Sequence, residues 1–239
     1  MNFKDCEAIV LKGMKYNESS KILSLFTEDF GKVNFLAKGV RSMKSNQCGV
    51  FDDMNHIRIF FNNRINSSLQ VINKSENINM FNMIKINLDK LEYAYRILEI
   101  MNNLTYDFDS SSKLFVLLKN VFYFLNTDLY ENHNVYMYFQ LNFAELSGIG
   151  LKSHPAINSQ SEKINETFSA KMTLNRYEKV FDNKLIKFLG TKQENIENYE
   201  FNKNESANII NSLDNYLHQN IDSKYFFKSK HIFQKINRI

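Results

Sequence analysis

Six basic residues in the first quarter or so of the chain are the side chains best placed to do chemistry: Lys21, Lys32, Lys38, Arg41, Lys44 and Arg64. No acid occurs between Lys38 and Asp52, so the segment around Gly39 reads as a basic loop. Such a cluster neutralises phosphates and releases counterions whatever the base sequence, which points to DNA binding. Gly39 would let the loop backbone approach the preceding strand closely. A lysine-rich loop that is merely solvated fits the same residues. Phe35, Phe60 and Phe61 lie within reach of a groove there and could stack on bases. Phe35 and Phe61, however, fall on stripes assigned to the core.

A second basic set lies in the tail, where Lys224, Lys228, Lys230, Lys235 and Arg238 oppose only Asp222. It could extend a DNA track, dock an acidic partner peptide, or be a solvated terminus.

Catalytic chemistry is poorly represented. His56, His133, His154, His218 and His231 are scattered, with no metal-ligand spacing to one another or to a cysteine. No phosphate-binding glycine loop, nucleophile elbow or dinucleotide fingerprint occurs. The acid pairs Glu28-Asp29 and Asp52-Asp53 stand beside turns and read as solvated carboxylates. The expectation is a protein that is not an enzyme, with no catalytic residue, metal ligand or cofactor to nominate.

The elements that must position the basic loop are short strands. Glu7–Lys12 has apolar residues at consecutive positions, as in a strand covered on both faces or lining a small closed barrel. Lys21–Thr27 alternates loosely. In the third run Val33, Phe35 and Ala37 share one face, with Asn34 and Leu36 on the other. His56–Phe61 sends Ile57, Ile59 and Phe61 one way and His56, Arg58 and Phe60 the other, and Ser68–Lys74 follows. The size suits a five-stranded oligonucleotide-binding barrel, while an SH3-like barrel or a small sandwich fits the pattern too.

Beyond Glu76 the period changes from two to about 3.6. Leu88, Leu91, Tyr95 and Leu98 form a helical stripe, with Glu92 and Arg96 as an exposed i,i+4 pair. Asp109–Ser112 offers caps for a helix over 113–125, a further helix spans 134–147, and Gly148 ends it. A polar segment, Gly150–Phe168, holds the only proline, Pro155. Helical patterning resumes over Leu174–Phe188, stops at Gly190, and returns after an Asn204-Glu205-Ser206 cap. The fold class expected is therefore α+β: a barrel domain over 1–78 and an all-α helical domain over 79–239.

With 239 residues, 44% of them hydrophobic, the chain can bury a substantial core. Its net charge of +4 favours nucleic acid only slightly. No run is long and apolar enough for a membrane span, and the opening Asn2-Phe3-Lys4-Asp5 lacks a signal-peptide core, so a cytoplasmic protein without a membrane partner is expected. Cys6 and Cys48 read as reduced thiols.

Several residue runs add a resemblance. Glu7–Lys12, Tyr16–Leu23, Leu25–Glu28, Gly31-Lys32 and Ala37–Arg41 together resemble the N-terminal signature of the bacterial recombination mediator family RecO. Weaker similarity continues through Glu145–Gly148 and Lys228–Phe233. The resemblance implies an OB-like barrel and a helical domain in a DNA repair and recombination factor. Such a factor binds single- and double-stranded DNA and anneals complementary strands. With RecR it helps load RecA onto DNA coated with single-strand-binding protein, contacting that protein's acidic C-terminal tail. A monomer is expected. Many family members carry a four-cysteine zinc site after the helix ending here at Gly148, and this sequence has no cysteine beyond Cys48. The resemblance thus implies a lost zinc site and a degenerate insert near 150–168. The rival reading is an adaptor whose helical domain binds an acidic partner tail while the barrel is structural only.

Overall fold

The computed structural model describes residues 3–42, 45, 47, 49–62, 67–107, 109–150, 196, 200–220 and 228–236. Lys44, Cys48, Arg64, Lys224 and Arg238 lie outside the described residues, as do the insert from residue 151 and the helical pattern at Leu174–Phe188.

Strands β1 (Phe3–Tyr16), β2 (Ser20–Thr27), β3 (Gly31–Ala37), β4 (His56–Asn62) and β5 (Leu69–Asn79) close into a barrel in the order β1-β2-β3-β5-β4. All pairings are antiparallel except β3 with β5. Of the architectures open to the sequence, this is the OB-like barrel. Side-chain alternation falls as the pattern required. Val33, Phe35, Ala37, Ile57, Ile59 and Phe61 fill the interior together with Cys6, Ala8, Val10, Leu23 and Leu25. Phe35 and Phe61 meet edge to face with centroids 5.0 Å apart, so both are barrel filling.

The consecutive apolar run of β1 has a structural cause. Ala8 and Val10 point into the barrel, while Ile9 and Leu11 are buried on its outside. Near Val10 the strand bulges and passes from pairing with β4 to pairing with β2. There the Asp53 carboxylate accepts a hydrogen bond from the Gly13 amide at 3.0 Å. Asp53 is therefore a partly buried structural group, not the solvated turn carboxylate expected. Burial pushes its carboxyl pKa up, opposed by the Gly13 hydrogen bond.

The described helices are α1 (Asn82–Ile86), α2 (Leu88–Leu104), α3 (Ser112–Leu125), α4 (Asn132–Leu146), α5 (Lys203–Asn220) and α6 (Lys228–Ile236). Caps are local: Asn87 accepts from Asp89 and Lys90 at the start of α2, and Ser111 accepts from the Leu114 amide at the start of α3. At α5 the cap is Asn202, two residues before the expected position, and Glu205 bonds back to the Asn202 amide at 2.9 Å. Glu92 and Arg96 pair at 3.6 Å, but Arg96 is buried, so this is not the exposed pair the spacing suggested.

Strands give way to helices near the expected 78/79 boundary, yet packing groups the chain differently. One compact unit comprises Met1–Asn126 and Tyr225–Ile239, the other Thr127–Lys224. In the second unit Asp214 of α5 accepts from Tyr136 Oη at 2.9 Å and from Gln140 Nε2 at 2.7 Å, both on α4. In the first, α6 starts on the Glu99 carboxylate of α2, which accepts from the Lys228 and Ser229 amides at 2.9 and 3.1 Å.

Two seams tie helices to the barrel in the first unit. At one, Lys32 of β3 donates from Nζ to the Asn102 carbonyl at 2.9 Å and to the Thr105 carbonyl, and pairs with Asp107 at 3.3 Å. A cation on these closing carbonyls complements the C-terminal end of α2. Beside it Gly31 has φ +65, and a Cβ there would lie 2.2 Å from the Asp109 carbonyl oxygen. At the other, Glu7 of β1 accepts from His56 Nε2 at 3.0 Å and Arg58 at 3.3 Å, and Lys119 of α3 stands 3.6 Å away. Phe115 and Tyr123 of α3 pack edge-on against the His56 ring.

Gly31→Ala is expected to melt well below the wild type in a thermal scan, because the left-handed backbone alone costs a side chain about 1–2 kcal/mol before the overlap is counted. Acidification should also destabilise the fold. Burial pushes the His56 pKa down, outweighing the pull of Glu7. Burial pushes the Glu7 carboxyl up, but His56, Lys119 and the hydrogen bonds from His56 and Arg58 outweigh it and hold it below its ordinary value. Both folded-state pKa values are depressed, so the stability they contribute is present at neutral pH and is lost as pH falls. Melting temperature should decline below pH 6.5 and again below pH 4.5, the ordinary values of the two groups, and His56→Gln should remove the first decline.

Candidate nucleic-acid interface

The basic residues nominated from sequence divide by what their charges touch. Lys32 is only 13% exposed in its side chain and is committed to the end of α2. Lys21 Nζ stands 3.4 Å from both the Phe51 carbonyl and the Asp52 carboxylate, so it braces β2 against the segment before β4. Arg41 donates from Nη1 to the Asn17 carbonyl at 2.9 Å, and its amide donates to the Ser19 carbonyl at 2.9 Å. These two bonds lay the loop after β3 onto the β1–β2 turn, and they leave most of the guanidinium donors unspent. Lys38 is exposed and forms no ion pair among the described residues. Among the described residues, Lys38 and Arg41 are thus the nominated cations left on the barrel surface after β3.

Gly39 has φ +72, and nothing lies within 4 Å of where a Cβ would be. Its role is the left-handed turn that swings the loop back to Ser19, not the close approach expected. On α6, Lys228, Lys230 and Lys235 belong to a helix packed on α2, where the Phe233 ring lies tilted against Tyr95 with centroids 6.4 Å apart.

The outer face of the β2–β3 sheet is the surface that small barrels of this type offer to oligonucleotides. Here a cross-strand row of Met14, Ile22, Leu36 and Val71 runs over it, with Met14 half exposed and the others partly so. The next row is Lys12, Ser24, Asn34 and Leu69. This face is aliphatic and amide-bearing, edged by the exposed ring of Tyr16. Of the three nominated phenylalanines only Phe60 points out of the barrel, and it stacks on Phe3, a residue the sequence reading did not single out. Phe3 could have been found by alternation, since Cys6 and Ala8 face inward and odd-numbered positions of early β1 face out.

Cys6 is a buried free thiol, which burial and then the nearby carboxylates push up to about 12, so it stays protonated at neutral pH. Among the described residues no group of three or more His, Cys, Asp or Glu is placed to hold a metal ion, and no helix is long and apolar enough to cross a membrane.

Residues 1–81 match the family model described as Recombination protein O N terminal. Relatives described as DNA repair protein RecO include one from Chlorobium phaeobacteroides, 32% identical over 47% of this chain and 43% of that protein. One from Salinibacter ruber is 28% identical over 60% of this chain and 55% of its own length. In such alignments the chain spans about half the length of the curated relatives it matches. A RecO from Chloroherpeton thalassium is 25% identical over 96% of this chain and 97% of that protein. The family model falls on the barrel, and together these matches support a RecO identification of the chain.

Proposed function

We propose that this chain is a DNA repair and recombination mediator that binds single- and double-stranded DNA and anneals complementary strands. The observation that carries the reading is the placement of Lys38 and Arg41 on a loop pinned against the β1–β2 turn of a closed OB-like barrel. Cations on a loop tied to the β1–β2 turn by two hydrogen bonds meet phosphates at a smaller ordering cost than a floppy lysine tail would. Similarity to proteins described as DNA repair protein RecO supports the same reading. In this role the chain would act with RecR to load RecA onto DNA coated with single-strand-binding protein, whose acidic tail it would contact. Lys228, Lys230 and Lys235 are the basic residues of α6 that such a tail, or DNA beyond the loop, would meet, and Lys21 and Lys32 serve chiefly to hold the barrel and α2 in register.

Strand annealing and oligonucleotide affinity, measured by fluorescence at two salt concentrations, test the proposal. Annealing activity and an affinity that falls with salt are expected. Lys38→Ala with Arg41→Ala should flatten the single-strand salt slope by roughly 1.4, about 0.7 for each phosphate no longer neutralised. Lys32→Ala should lower the melting temperature and leave the slope alone. Affinity indifferent to salt, or a double variant equal to wild type, would overturn the reading. Tight binding of an acidic-tail peptide with no oligonucleotide binding would favour the adaptor instead.

A further inference from the structure

A pair of rings, one exposed and one half-buried, stands on the outer surface of β1 and β4. Phe3 is 59% exposed, and its ring stacks on that of Phe60 with centroids 6.2 Å apart and planes 27° from parallel. Phe60 lies opposite Asp5 on one side and Lys74 on the other, and Lys74 Nζ sits 5.2 Å from its ring centre. Ile59 and Phe61 are in the core, so strand alternation obliges Phe60 to point outward. The same outer face is covered further along, where α3 lies against His56 through Phe115 and Tyr123. Among the described residues the cover ends before Phe60, and the Phe3 ring is left largely to water with the half-buried Phe60 ring beside it.

The charges around the rings cancel. Lys74 pairs with Glu76 at 2.5 Å, and Arg58 stands 3.7 Å from Asp5. The patch therefore offers π surface with almost no net attraction for a phosphate backbone, unlike the loop of Lys38 and Arg41. A ligand that fits must be flat and apolar on its face and must carry its charge elsewhere. Unpaired nucleic-acid bases meet that description, whereas a duplex keeps its base faces stacked and out of reach.

Resting on the nucleic-acid reading above, we propose that Phe3 and Phe60 form a stacking platform for unpaired bases. It is a single-strand site that discriminates against duplex and is separate from the phosphate-binding loop. Phosphates would be held at Lys38 and Arg41 and bases at Phe3 and Phe60, so one barrel would offer both grip and strand selectivity.

The chain has no tryptophan, so Phe60→Trp places a sole indole on the platform. Its emission should be quenched by an oligodeoxythymidylate at saturation, with saturation read independently by anisotropy of the labelled strand, and should not respond to a blunt duplex. Phe3→Ala with Phe60→Ala should weaken single-strand binding at least about fivefold, leave duplex affinity unchanged and keep the wild-type salt slope. Phe3→Leu with Phe60→Leu repeats the test in a variant that retains apolar bulk, and should show the same loss if stacking is the cause. An indole unquenched at saturation, or single-strand affinity unchanged in both double variants, overturns the platform while leaving the DNA-binding reading intact. Self-association of the wild type that the double variants abolish, with oligonucleotide affinity unaltered, overturns it in favour of a contact between copies. Failure of the wild type to bind any oligonucleotide overturns both.

Discussion

Closure of the barrel rests on a short parallel ladder, Asn34–Leu36 of β3 against Leu69–Val71 of β5. Every other pairing is antiparallel and built from longer registers. Without this strip the sheet would have two open edges, and its alternating residues would have no defined inside. With it, each strand residue is assigned to the core or to the surface by a period of two. Phe35 and Phe61 are inside for that reason, and Phe60 is outside for the same reason.

Residues of one chemical type take different work once the barrel is closed. Lys32 follows a positive-φ glycine that packs against the Asp109 carbonyl, and so its ammonium reaches the end of α2. Lys21 is caught between Phe51 and Asp52. Beyond Ala37, where β3 ends and Gly39 turns the chain, Lys38 faces solvent and Arg41 is held to the β1–β2 turn by two hydrogen bonds. A residue's distance from its neighbours decides whether its charge is spent on the fold or available to a ligand, and composition carries no trace of that distinction.

Two kinds of surface then separate in space and in physics. The loop offers charge, whose contribution declines with salt. The outer face of β1 and β4 offers stacked rings among mutually cancelled charges, whose contribution does not. Between them lies the β2–β3 face, with its aliphatic row in place of aromatic side chains. The seam at Glu7, His56 and Lys119 holds α3 over part of the β1–β4 face and so sets how much of it stays open.

Sequence by itself determined the strands and their faces, the change to helical period after β5, and the loop that carries Lys38 and Arg41. These are local properties: alternation, capping residues and turn glycines act over a few positions, and the runs resembling RecO lie in that same stretch. It placed the helices of α2 to α5 closely, missing the one-turn α1 and shifting the cap of α5 by two residues. Tertiary structure alone decided which lysines remain free, that Arg96 and Asp53 are buried, that Gly39 serves a turn rather than a close approach, and that Phe3 meets Phe60. Three of these depend on a partner far along the chain: Lys32 on Asn102, Gly13 on Asp53, Phe3 on Phe60. Pairing at such separation is set by barrel closure and helix packing, which no local pattern encodes.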